Sequence, residues 1–253
     1  MSDKELFKVS LKIYPKDVFR LLALRSIAET DGLFEDLLRN FDEIFEGIGT
    51  TPRLNEEEFG RNPFNYTHNG LEVKEERFDR MTERQLCAAK TAFFGKEFDD
   101  IGMVIDYEVP LDDKKDSALG KIDLVSKTDS ELFLLEVKKC ESNEHPLRAM
   151  FEIFTFWRTL AVDGGYTEFL EKYSQDQVRT DVLGLKVVPA LLLCEDSDIF
   201  KEKLQKARKD GKAETELYRK FLSDDIGMRV FVYDRDTLDV KEVTGELKSN
   251  LEV

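Results

Sequence analysis

Residues 120–139 read GKIDLVSKTDSELFLLEVKK, and the organisation of the chain follows from this stretch. Asp123 lies in one short apolar segment. Glu136, Val137 and Lys138 close another, with the polar residues Thr128 to Glu131 between the two. Alternate side chains of a β-strand share a face, so Glu136 and Lys138 point one way and Val137 the other. A hairpin loop over residues 128–131 pairs Lys127 with Leu132 and carries the register on to Asp123 opposite Glu136. Two carboxylates and an ammonium are thereby expected on one patch.

Hard divalent cations favour oxygen ligands and are commonly held by one or two carboxylates, with water and substrate phosphates completing the shell. A lysine two residues beyond the second carboxylate can orient an attacking water or neutralise charge developing on a phosphate. The combination suits hydrolysis of a phosphodiester. An E-x-K triplet alone is a weak signal, because charged residues alternate on solvated strand faces. Glu72-Val73-Lys74 is such a triplet with no apolar strand before it and no partnered Asp, and it reads as a solvated segment.

With Asp123, Glu136 and Lys138 in these positions the chain resembles the PD-(D/E)XK nuclease superfamily, the restriction-endonuclease-like fold. Ile122 stands where the family name has proline. The resemblance implies a magnesium or manganese ion held by Asp123 and Glu136, with the Val137 carbonyl as a further ligand and Lys138 positioning water. It also implies a carboxylate from a helix ahead of the sheet. TERQLCAAKTAFF, residues 82–94, supplies Glu83 for that place, both as catalytic residue and as metal ligand. Thr82 and Gln85 have capping-box spacing, and Leu86, Ala89 and Phe93 form an apolar stripe whose face Glu83 shares. The helix dipole by itself also favours a first-turn Glu. Asp106 and Glu108, in the strand-like MVIDYEVPL, compete with Glu83 to complete the site.

Beyond the hairpin, Pro146 opens a second helix whose Leu147, Met150, Phe151, Phe154 and Trp157 make a broad apolar face. Family members often carry a Gln on this helix, and Glu152 aligns with it; its plain reading is helix surface. Lys139, Arg148 and Arg158 are candidate phosphate contacts and equally candidate solvated surface. The similarity spans about residues 80–160, so it implies a fold and a site more than a biological role.

Other chemistries fit less well. His68 and His145 form no HxxxH pair and no Cys/His zinc spacing, and no GxSxG elbow accompanies them. Cys87, Cys140 and Cys194 are far apart and show no CxxC, which reads as buried or incidental cysteine. Neither a GxxxxGK[ST] loop nor a GxGxxG turn is present, which argues against bound ATP or dinucleotide.

The chain has 253 residues, 41% of them hydrophobic, enough for one substantial core or two smaller ones. No apolar run approaches the ~18 residues of a membrane span, and the expectation is a cytoplasmic protein with no membrane partner. A formal net charge of −15 works against a nucleic-acid enzyme, since polyanion binding draws on basic surface. Much of the acidity lies early, as in Glu56-Glu57-Glu58, whereas Lys138-Lys139 adjoins the expected site. The expected partners are therefore nucleic acid, DNA first, with a protein partner supplying affinity.

Along the chain, Phe7, Val9, Leu11 and Ile13 alternate as a strand, residues 15–29 read as helix, and Phe34, Leu37, Leu38, Phe41, Ile44 and Phe45 mark another helix. Gly47 to Gly70 reads as an extended connection, which suggests an accessory region over 1–78 and a nuclease-like core over 79–253. LKVVPALLLCE reads as a buried strand, IFKEKLQKARK as a helix and GMRVFVYDRD as another strand. The expected fold class is α/β, a central mixed sheet flanked by helices with an N-terminal helical extension. The rival function is a catalytically inactive protein of the same fold that binds protein or nucleic acid.

Overall fold

The computed structural model describes residues 31–42, 93–110, 121–142, 144–161, 182–206 and 213–252. Among the described residues seven strands form one sheet in sequence order: β1 (Glu97–Phe98), β2 (Gly102–Pro110), β3 (Lys121–Lys127), β4 (Glu131–Lys138), β5 (Lys186–Cys194), β6 (Arg229–Tyr233) and β7 (Val240–Glu242). The first four are antiparallel neighbours, β4, β5 and β6 run parallel, and β7 returns antiparallel. The sheet is mixed and helices accompany it, so the α/β class holds. The helices among the described residues are α1 (Asp31–Arg39), α2 (Pro146–Ala161), α3 (Ala213–Leu222) and α4 (Thr244–Glu252), besides a π-helical segment at Ile199–Leu204.

Strand character follows position in the sheet. β4 and β5 are almost wholly buried, and their near-continuous apolar sequences suit strands covered on both faces. Pro189 sits inside β5 without disrupting it. The Lys186 N–H bonds the Ser130 carbonyl on the β4 side, so alternation turns the Pro189 nitrogen toward the opposite edge, where β6 begins pairing only at Ala190↔Arg229. On that same edge the Trp157 indole N–H of α2 donates to the Val187 carbonyl at 3.0 Å, replacing the missing strand.

Two apolar layers cover the sheet. The larger joins Leu134, Leu191, Leu193, Val230 and Val232 to α1, α2, α3, α4 and the π-helical segment. The smaller lies on the opposite face and gathers Phe93, Ile101, Leu135, Val137, Leu192 and Phe231. Phe41, Phe151 and Phe154 surround Phe221 of α3 at ring-centroid distances of 5.4, 4.8 and 5.5 Å. Phe34 and Leu37 of α1 thus belong to the same core as the sheet. The expected 78/79 boundary, the early strand, the helix over residues 15–29, Glu72-Val73-Lys74 and the start of the Glu83 helix lie outside the described residues.

Two sequence expectations change. The IFKEKLQKARK segment opens as a π-helix, with the Gln205 N–H bonded to the Phe200 carbonyl five residues back, in place of the expected α-helix. Cys140 and Cys194 are not incidental: they form a disulfide, with Cα atoms 4.9 Å apart, just beyond β4 and at the end of the adjacent parallel strand β5. Disulfides are uncommon in a reducing compartment, so this pairing lends no support to the cytoplasmic expectation. No helix among the described residues is long and apolar enough to cross a membrane.

Candidate functional site

The β3–β4 hairpin has the expected register: Lys127 pairs with Leu132 and Leu124 with Leu135. Thr128 Oγ1 accepts from the Glu131 N–H at 3.1 Å, and the Thr128 N–H bonds the Glu131 carbonyl at 2.9 Å. These bonds close the turn at a hydrogen-bonded pair. Every second pair along an antiparallel ladder is of that kind, so the Val137 N–H would next meet the Ile122 carbonyl. Instead Asp123 Oδ2 accepts it at 2.8 Å. The strand pairing ends at Leu124↔Leu135, and the Asp123 carboxylate spans the gap where the strands part.

Glu136 and Lys138 lie on the face of β4 that carries Leu132 and Leu134, toward α2; Val137 is buried in the opposite layer. Lys138 Nζ donates to Glu136 Oε1 at 2.8 Å. It also contacts Glu144 Oε2 at 2.6 Å and Glu152 Oε2 at 3.7 Å. Glu152 is therefore turned to the site, contrary to its plain reading as helix surface. Arg148 Nε approaches Glu144 Oε1 at 2.7 Å, a contact of charges without the alignment of a hydrogen bond.

The local sequence explains this gathering. His145 precedes α2, its Nδ1 accepting from the Leu147 N–H at 3.3 Å, and Pro146 needs no donor at the first helical position. Glu144 is thus held at the mouth of α2, with Arg148 and Glu152 spaced four residues apart along the helix. The set sits at the carboxyl end of β4, the end of a parallel strand at which α/β sheets bind ligands. On the other face the Tyr233 hydroxyl donates to the Lys138 carbonyl at 3.3 Å and steadies the strand end.

The electrostatics are those of a crowded cluster of carboxylates. Burial pushes the Glu136 carboxyl well above the usual carboxylate range, and the nearby Asp123 charge adds to this despite Lys138. Burial also raises Glu152, with Lys138 partly opposing. For Lys138, burial acts downward, but Glu136, Glu144 and Glu152 together outweigh it and hold the ammonium well above an ordinary lysine. Among the described residues, the carboxylates of Asp123, Glu136, Glu144 and Glu152 gather around the cations Lys138 and Arg148.

Among the described residues no three His, Cys, Asp or Glu side chains are gathered to hold a metal ion. Magnesium does not need three, since water and substrate phosphates commonly supply most of its shell. Carboxylates gathered against their own repulsion fit a divalent ion in their chemistry. The bulge between Val104 and Asp106 shifts β2 so that position 108, between the pairs Tyr107↔Leu124 and Val109↔Ile122, stands opposite Asp123. Asp106 falls opposite Val125, buried, with Oδ1 accepting its neighbour's Tyr107 N–H at 2.8 Å. Glu83 lies outside the described residues.

Sequence reasoning missed Glu144. Its only signal was its place just ahead of a proline-opened helix, six positions past Lys138. Compared with known proteins, the chain matches no family model, and neither a curated protein nor a solved structure matches it.

Proposed function

We propose that this protein is a divalent-metal-dependent nuclease that hydrolyses phosphodiesters in nucleic acid, with DNA the first substrate to try, on a restriction-endonuclease-like core. One observation carries the reading: Asp123, Glu136 and Lys138 meet at a parting strand end, with Asp123 tied to the Val137 N–H at 2.8 Å and Lys138 to Glu136 at 2.8 Å. Asp123 and Glu136 would hold magnesium or manganese, with the Val137 carbonyl and Glu83 as the remaining candidate ligands. When bound, the ion supplies Lewis-acid polarisation of a phosphoryl oxygen and offsets the negative charge of the site. Lys138, its proton held tightly by three carboxylates, is a charged hydrogen-bond donor that orients water and is no base at neutral pH.

The test is a panel of divalent metals against labelled single- and double-stranded DNA and RNA, with Asp123→Ala and Glu136→Ala alongside. Metal-dependent cleavage by the wild type, and weakened metal binding by calorimetry in both variants, are expected. Unchanged metal affinity in both would reject the site. The net charge of −15 favours a second reading, a fold-sharing binding protein without catalysis. That protein would show no metal affinity dependent on Asp123 and Glu136.

A further inference from the structure

Glu144 stands outside the E-x-K triplet, yet at 2.6 Å it makes a closer contact to Lys138 than Glu136 at 2.8 Å or Glu152 at 3.7 Å. Its carboxylate is divided between two cations on different elements: Oε2 takes Lys138 of β4, and Oε1 takes Arg148 of α2 at 2.7 Å. The side chain is only 11% exposed, whereas that of Arg148 is 39% exposed, so the bridge runs from the buried ammonium to the rim. Hydrogen bonds hold Ser142 and the Glu144 backbone. The Ser142 N–H bonds the Lys139 carbonyl at 3.1 Å, and the Glu144 N–H donates to Ser142 Oγ at 3.4 Å.

We propose that Glu144 is a positioning residue that pins the Lys138 ammonium beside Glu136 and sets the Arg148 guanidinium at the rim to receive a phosphate of the substrate backbone. The proposal rests on the nuclease reading above. A guanidinium at the rim has donors left for a phosphate's oxygens, which a planar fork recognises in pairs. Loss of Glu144 leaves Lys138 its two strand and helix carboxylates but removes the contact that closes the third side. Arg148 loses the anchor that aims it.

The test uses the full chain with Glu144→Gln and Glu144→Ala and two readouts. The first does not depend on catalysis: hydrogen exchange of the Lys138 ammonium with water, followed by nitrogen-15 NMR of lysine side chains and assigned by its loss in Lys138→Arg. Exchange should be slow in the wild type and faster by about tenfold in Glu144→Ala, the scale of one charge-assisted hydrogen bond, with Glu144→Gln between. Equal exchange in all three folded proteins would overturn the proposal. In cleavage assays, Glu144→Gln should lower kcat while calorimetric metal affinity is retained, and Arg148→Ala should raise KM more than it lowers kcat. An unchanged kcat in Glu144→Gln would equally overturn it. A wild type inactive on every nucleic acid would end the nuclease reading, and the exchange rates would still decide whether Glu144 pins Lys138.

Discussion

Glu136 carries an electrostatic conflict within the fold. Its folded pKa lies above the unfolded value of about 4.3, chiefly through burial and then through Asp123. The fold therefore binds this proton more tightly than the unfolded chain does. The stability it contributes is complete below the unfolded value and is lost as pH rises through the folded one. Glu136→Gln should match the wild type in acid and melt higher at neutral pH, by about 2–4 °C for each 1 kcal/mol gained. Equal melting curves across that range would contradict the conflict. On the proposed nuclease reading, Lys138→Met keeps the packed stem and removes the charge, so cleavage should fall by about 100-fold at saturating metal and substrate with metal affinity intact. Wild-type turnover in that variant would remove Lys138 from the chemistry. The pairing of Asp123 with the Glu136 strand was legible because strand parity and turn length fix a hairpin locally. The convergence of Glu144, Arg148 and Glu152 was not, since it depends on where α2 lies against β4.

The β3–β4 hairpin leans on β2 through one tight approach. Gly102 opens β2 with φ +67°, and a Cβ added there would collide with the Lys127 carbonyl at the end of β3. Gly102→Ala should therefore destabilise by more than about 1 kcal/mol, through both the left-handed backbone and the clash, as read by urea unfolding. Leu134, fully buried between Val125 and Pro189, should cost about 2–5 kcal/mol on truncation to alanine. A smaller loss in either variant would mean that the strands relax around the site. The apolar runs of β4 and β5 and the proline-opened α2 announced themselves in sequence, because each element's burial is written along its own length. The π-helical turn at Ile199–Leu204 and the three-residue β7 did not. The ladder of β7 is supplied by β6, a π-turn differs from an α-turn only in bonding one residue further back, and short apolar patterns are compatible with several elements.

The α/β architecture was legible because hairpin strands precede alternating helices and strands. The Cys140–Cys194 bond was hidden because it needs β4 and β5 to be parallel neighbours, and a crossover separates them in sequence. Protein purified without reductant should have an intact mass two hydrogens below the all-thiol chain. Cys140→Ser should lower unfolding free energy by about 2–4 kcal/mol in non-reducing urea titrations. An unshifted midpoint would deny the bond a structural role. With a sequence separation of 54, the bond turns residues 140–194, α2 and β5 among them, into one closed ring of covalent atoms. A protease that severs the backbone once inside that ring produces a nick and no fragments: the chain still migrates as one band in denaturing electrophoresis. Two pieces part only when a thiol reductant is added.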